Sequence, residues 1–155
     1  MGGGIVTWTL LIPRSLSSQN RAANNLSPTA SHGYRKERQR WADDIVNASR
    51  VAGVPLVGID RMVRRRVVIT RLWGKGQREW DKPNAWGGAK MVMDVLCPPR
   101  VFKRRKVKGG PVVTHLRPGA SLIYDDSTKW ADIEVRQEKA ADGVAATRIE
   151  IEECP

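Results

Sequence analysis

The chain has 155 residues and carries 27 Lys and Arg against 16 Asp and Glu, which gives a formal net charge of +11. Hydrophobic residues make up 41% and charged residues 28%, a composition that argues against a disordered chain and predicts one globular domain with a modest core. The cationic excess indicates a polyanionic partner. Nucleic acid is the partner we expect, because Lys and Arg release counterions when they contact phosphates.

The sequence argues against a structural zinc protein and against a membrane-spanning protein. Cys97 and Cys154 are too few for a disulfide framework, and with His32 and His115 they lack the short ligand spacings of a structural zinc site. The apolar stretch 5–12 is too short to span a bilayer, and the MGGG before it lacks the basic region of a signal peptide. We therefore expect a cytoplasmic protein with no membrane partner.

The first half of the chain predicts a strand, a long loop and a helix. Residues 5–12 are β-branched and apolar and end at Pro13, which is typical of a strand. The polar segment 15–33 predicts a long loop, and helical spacing of apolar residues predicts a helix over 34–52. The basic residues of this helix are predicted to lie on its solvated outer face. They are Arg35, Lys36, Arg38 and Arg40.

A second strand and a second helix follow. Residues 61–73 predict a partly buried strand, and Arg64, Arg65 and Arg66 at its start are predicted to project around the sheet end. A helix is predicted to start at Asn84, with the asparagine as its N-cap, and to stop before the prolines at 98 and 99.

The remainder predicts an exposed basic segment and a β-hairpin. Residues 98–118 form a strongly cationic stretch with Pro and Gly brackets, predicted to be an exposed loop or hairpin that clamps phosphates. Its cations are Arg100, Lys103, Arg104, Arg105, Lys106 and Lys108. Alternating patterns over 130–140 and 144–153 predict a hairpin. The fold class is therefore α/β: one domain over 1–155, with a small mixed sheet against two main helices.

Two acidic clusters interrupt the basic background. Glu79 and Asp81 precede the second helix, and Asp125 and Asp126 follow a short apolar rise. If the fold brings these loops together, they form an all-oxygen site suited to Mg²⁺ or Mn²⁺, with Lys90 near enough to stabilise a phosphate. The alternative is an acid at Asp81 that only favours the helix N-terminus by its charge, a surface Asp-Asp turn and a solvated lysine.

Two motifs in this order resemble the RusA family of Holliday-junction resolvases, which is common in bacteriophages and prophages. They are WDKPNAWGGAKMVMDVL at 80–96 and DDSTKW at 125–130, and the likeness extends over roughly 5–96 and 119–152. In the family an Asp, one residue, a second Asp and an Asn precede a helix that carries a Lys. The second Asp falls on Pro83 here, so one expected ligand is missing, and Glu79 is the carboxylate placed to compensate.

The resemblance implies a Mg²⁺-dependent endodeoxyribonuclease that acts as a homodimer on four-way DNA junctions in a bacterial host cell. Asp81 and Asp126 would be catalytic metal ligands, with Asp125 beside them and Lys90 as the catalytic lysine. The basic residues at 64–66 and 100–108 would hold the DNA arms through their backbones. A non-catalytic junction-binding protein with a degenerate metal site is the alternative that Pro83 favours, and an RNA-binding protein of the ribosomal type is a weaker third.

Overall fold

The computed structural model describes residues 4–18, 30–55 and 62–154, and these form one small α/β domain with six strands and two helices among them. The elements in chain order are β1 (Thr7–Ile12), α1 (Ala30–Val51), β2 (Arg65–Trp73), α2 (Lys82–Leu96), β3 (Arg100–Arg105), β4 (Val112–Arg117), β5 (Ala131–Lys139) and β6 (Ala146–Glu153). The predicted fold class, a small mixed sheet with two helices, is confirmed. Part of the predicted 15–33 loop, and residue 61 of the predicted second strand, lie outside the described residues.

The main sheet is built around β2. Its strand order is β1-β6-β2-β5, with β2 parallel to β5 and antiparallel to β6. An inner strand that is buried on both faces is usually apolar along most of its length. The buried run from Val67 to Thr70 fits this inner position.

Apolar residues cross the sheet in two rows that face the helices. Leu10, Ile149, Ile69 and Val135 occupy paired positions along one row. The second row runs through Trp8, Ile151, Val67 and Ile133. Both rows pack in one core with apolar residues of the helices, so a single face of the sheet carries α1 and α2. These helical core residues are Trp41 and Ile45 of α1, and Ala89, Val92 and Leu96 of α2.

The predicted hairpin at the end of the chain is wrong in its pairing. β5 and β6 do run in opposite directions, but β2 lies between them, so each pairs with β2. Their connecting turn crosses the end of β2, where the Lys75 N–H donates to the Gly143 carbonyl at 2.8 Å. A Cβ on Gly74 would lie 2.8 Å from that same carbonyl oxygen, so the glycine makes this crossing possible.

The basic segment folds as a separate antiparallel hairpin. β3 and β4 form their own two-stranded sheet, from the Arg100–Arg117 pair to the Arg105–Val112 pair. Every residue of β3 is exposed. Residues of β4 alternate between exposed and half-buried, so one face of this ribbon is more open to solvent than the other.

The described helices are not of the kind that crosses a bilayer, since none of them is both long and apolar enough.

Gly88 on α2 and Gly33 on α1 form a matched pair for testing helix packing. A Cβ on Gly88 would collide with the Ser17 backbone carbonyl and approach the Trp80 ring at 3.3 Å, whereas a Cβ on Gly33 would meet nothing within 4 Å. We expect Gly88→Ala to lower the free energy of unfolding by about 2 kcal/mol, because backbone cannot yield as a flexible side chain can. Gly33→Ala should raise it by about 0.5 kcal/mol through helix propensity. Urea unfolding measures both, and equal effects would contradict the close contact.

Candidate functional site

The amino end of α2 is held by Asp81. Asp81 is the N-cap, and its carboxylate accepts a hydrogen bond from the Asn84 N–H at 2.8 Å. The predicted cap, Asn84, instead lies inside the first turn, which begins at Lys82. The correction has a physical reason: Pro83 suits the start of a helix, where its missing N–H costs nothing, and this moves the cap back to Asp81.

The loop that carries Glu79 and Asp81 is fastened to β2 and β5. The Gln137 amide donates to the Trp80 carbonyl at 2.8 Å and accepts from the Trp80 N–H at 2.9 Å. Buried Arg71 stacks over the Trp80 ring at 3.6 Å and donates to the Arg78 carbonyl at 2.9 Å. Burial lowers the pKa of the Arg71 guanidinium from its ordinary value. The tryptophan thus fixes this loop rather than facing a ligand.

The carboxyl end of α2 is covered by the segment before Asp125. The Ala120 N–H donates to the Val95 carbonyl at 2.7 Å, and the Leu122 and Ile123 N–H groups donate to the Leu96 carbonyl at 2.8 and 3.1 Å. These bonds satisfy carbonyls that a helix end leaves without intrahelical partners. They also fix the start of the turn that bears Asp125 and Asp126.

Asp125, Asp126 and Cys97 meet at this end of the helix. Their ligand atoms all lie within 4.8 Å of one another, and they form the one such group of potential metal ligands in the part of the chain that the structure describes. Asp126 is exposed, Asp125 is half-buried and Cys97 is buried. The two carboxylates supply hard oxygen ligands of the kind that Mg²⁺ and Mn²⁺ prefer.

The charges of this group divide it into two carboxylates and a neutral thiol. Burial, followed by the nearby negative charge of Asp126, raises the pKa of Cys97 to about 12, with only Arg100 opposing. The thiol stays protonated near neutral pH and donates to the Met93 carbonyl at 3.5 Å. At Asp125 burial favours a higher pKa, but hydrogen bonds, first from Ser127, then from the Asp126 backbone and Arg100, outweigh it and lower the pKa. The carboxylate is therefore ionised at neutral pH.

The two predicted halves of the metal site do not meet within one chain. Asp81 caps the first turn of α2, whereas Cys97, beside Asp125 and Asp126, caps the last. The helix between them has 15 residues, and at about 1.5 Å per residue it holds the two ends more than about 20 Å apart. One cation cannot bridge that distance, so the expected single-chain site of Asp81 with Asp126 is not formed.

Lys90 and Glu79 line the same groove, and Asp125 and Asp126 are not among the residues that line it. Both line a groove of about 800 Å³ between α2 and β5, walled on one side by the half-exposed Trp86 and on the other by residues 133–138. The structure thus groups Lys90 with the acid of the first cluster, Glu79, and not with Asp126.

The predicted DNA-contacting residues fall into three groups. The hairpin cations Arg100, Lys103, Arg104, Arg105, Lys106 and Lys108 are all exposed, as is Arg64. Arg66 is half-buried and paired with Glu134 at 3.2 Å. The prediction for Arg65 is wrong: it is 1% exposed, and it donates to the Leu122 carbonyl at 3.1 Å and to Glu153 at 3.0 Å. It lies on an inner strand of the sheet and cannot reach a DNA backbone.

Arg38 is the functional candidate that the sequence reasoning missed. It was predicted to lie on the solvated face of α1, but it is 8% exposed and pairs with Asp94 at 3.4 Å. Its spacing could have indicated burial. Arg38 follows Tyr34 by four residues and precedes Trp41 by three, which puts all three on one helix face.

No protein-family model matches this chain, and no curated protein matches it significantly.

Arg64 and Arg65 provide adjacent substitutions of one residue type with opposite expected effects. Arg65→Ala should lower the free energy of unfolding by about 3 kcal/mol, because it leaves Glu153 and the Leu122 carbonyl without their buried partner. Arg64→Ala should change stability by less than about 0.5 kcal/mol, since the side chain is exposed. Urea unfolding checks both values. A stable Arg65→Ala variant with weakened duplex binding would return Arg65 to the DNA interface.

Proposed function

We propose that this protein is a Mg²⁺-dependent endodeoxyribonuclease that cuts four-way junctions or related branched DNA, as its likeness to the RusA family implies. The observation that carries the proposal is the Asp125–Asp126 pair at the root of the cationic β3–β4 hairpin. Arg100, the first residue of that hairpin, donates to Asp125 at 2.9 Å. Carboxylates beside a phosphate-attracting ribbon are the arrangement that metal-assisted phosphodiester hydrolysis needs.

The donor set fits a hard divalent cation. Asp125 and Asp126 would hold Mg²⁺, which usually takes one or two protein carboxylates and keeps several waters. When bound, the ion would neutralise phosphate charge and lower the pKa of an attacking water. The neutral Cys97 thiol contributes no charge to this set. Arg100 pairs with Asp125 at 2.9 Å and so orients this carboxylate, and its guanidinium would attract a phosphate bound beside it.

A homodimer would give Asp81 a part in the same site. The two ends of α2 are far apart within one chain, but a two-fold axis that sets two copies of α2 antiparallel brings each amino end near the other copy's carboxyl end. The partner's Asp81 would then approach Asp125 and Asp126. The two predicted halves of the metal site would then meet between chains, and the carboxylate that Pro83 replaces would be the one ligand still missing.

The second candidate is a junction-binding protein that does not cut. The small number of acids favours this second candidate. Each chain has two carboxylates near the hairpin, and Pro83 stands where a further acid is expected. Such a protein would bind branched DNA with an affinity that falls steeply with salt and does not respond to Mg²⁺.

A labelled four-way junction incubated with the protein and Mg²⁺ tests the nuclease. Asp126→Asn should slow nicking by at least about 100-fold, since it removes part of the several kcal/mol of charge stabilisation that a bound metal ion supplies. Asp142→Asn, in the exposed turn before β6, is the control of equal charge change and should cut normally. Metal-independent binding with no nicking at any protein excess would establish the second candidate instead.

Mixed dimers test the placement of Asp81. Asp81→Asn and Asp126→Asn should each be inactive alone, but their co-expressed mixture should recover part of the nicking, because a mixed dimer holds one site with both native acids. Asp81→Asn keeps a capping side chain, so its fold should persist. No recovery in the mixture would contradict a site shared between chains.

A further inference from the structure

We propose that the cleft between α1 and the β3–β4 hairpin binds an unpaired DNA strand, with a phosphate at Arg38 and a base on Phe102. The cleft has a volume of about 340 Å³. Its lining residues carry several cationic groups and no carboxylate, so it attracts anions. The lining residues are Arg35, Arg38, Gln39, Phe102, Arg104, His115, Leu116, Arg117 and Pro118.

Arg38 is the buried cation in the lining of this cleft. Its side chain is 9% exposed, it lines the cleft, and its Nε has no hydrogen-bond partner. The other end of the guanidinium is already fixed, since one Nη donates to the Tyr34 hydroxyl at 3.2 Å and to Asp94 at 3.4 Å. A buried donor without a partner is costly in a folded protein. This Nε is itself closed off from solvent, and Arg65 and Arg71 also bury an unpartnered Nε. What Arg38 offers a phosphate is therefore the charge of a guanidinium that lines the cleft.

The hairpin contributes an aromatic surface to the same cleft. Residues alternate between the two faces of a strand, and Phe102 and Arg104 on β3 share one face with their neighbours His115 and Arg117 on β4. Phe102 is 40% exposed, and the Arg117 guanidinium lies 4.5 Å from the centre of its ring. An exposed ring among cations is the usual platform on which single-stranded nucleic acid stacks its bases.

The size of the cleft selects a single strand over a duplex. Its volume is that of a small-molecule pocket, which admits one nucleotide. The cleft also adjoins the acidic group at the end of α2, because Arg38 contacts Asp94 and Arg100 precedes Phe102 by two residues on β3. That the bound strand leads to a cutting site rests on the proposed function. Strand binding itself does not.

Binding of labelled oligodeoxythymidylate, followed by fluorescence anisotropy with a metal chelator present, tests the cleft without any cleavage. Phe102→Ala should weaken binding by about tenfold, the usual effect of removing one stacking platform. Val101→Ala, one residue earlier on the opposite face and 62% exposed, is the matched control and should leave binding within about twofold.

Arg104 and Lys103 form a second matched pair, with equal charge on opposite faces of β3. Arg104→Ala should weaken oligodeoxythymidylate binding more than Lys103→Ala does, and it should reduce the salt slope by about 0.7 for the lost phosphate contact. Arg38→Met removes a positive charge from the cleft lining and should also weaken strand binding. Because Arg38 is buried, its result counts only for protein shown to be folded by circular dichroism, and the exposed Phe102 and Arg104 decide the test without it.

Three results would overturn the proposal. They are equal effects within either matched pair, displacement of the single strand by duplex added at equal concentration, and tighter binding of oligouridylate, which would assign the cleft to RNA. Failure of the nuclease proposal gives a different pattern. In that case the junction is never nicked, while Phe102→Ala still weakens binding of the oligodeoxythymidylate.

Discussion

The rigid length of α2 is the constraint on which the arrangement of this protein depends. Its buried face packs on the sheet through Ala89, Val92 and Leu96, so the helix can neither bend nor slide without loss of core contacts. Asp81 ends it on one side, and the segment that leads to Asp125 and Asp126 closes it on the other. The two acidic clusters that were expected to meet therefore lie at opposite ends of α2. Within one chain, each end holds only its own cluster.

The sequence predicted the elements well and their neighbours less well. Apolar alternation and turn residues identified strands and helices because these signals are local. The same local signals also suggested that β5 pairs with β6, and only the insertion of β2 between them overrides this. Arg38 and Arg65 show the second limit. Charge makes an arginine look like a surface residue, whereas a helix face or an inner strand buries it when carbonyls and carboxylates are in reach. Which loops converge is a long-range property, so the separation of Asp81 from Asp126 needed the structure.

Cations in this protein have three distinct physical roles. Arg65 and Arg71 are buried and hold strands and loops in place through hydrogen bonds to backbone carbonyls. Arg100 and Arg38 each touch a carboxylate at the end of α2 and so connect the acidic group to the surrounding basic surface. The hairpin cations beyond Arg100 lie on an exposed ribbon. The net charge of +11 thus overstates the positive charge at the surface, since Arg65 and Arg71 are buried.

The place of β2 and β6 in the sheet also governs when the domain can fold. Thr7 pairs with Glu152, and Val67 pairs with both Ile133 and Ile151, so β1 and β2 pair only with strands that lie far along the chain. Contacts this distant in sequence slow folding, because long loops must close before any pairing is gained. On the ribosome, β1 and β2 would remain without partners until residues 131–153 have emerged, and the apolar stretch 67–69 would stay exposed for that time. The chain's last strands thus determine the moment of folding as well as the order of the sheet.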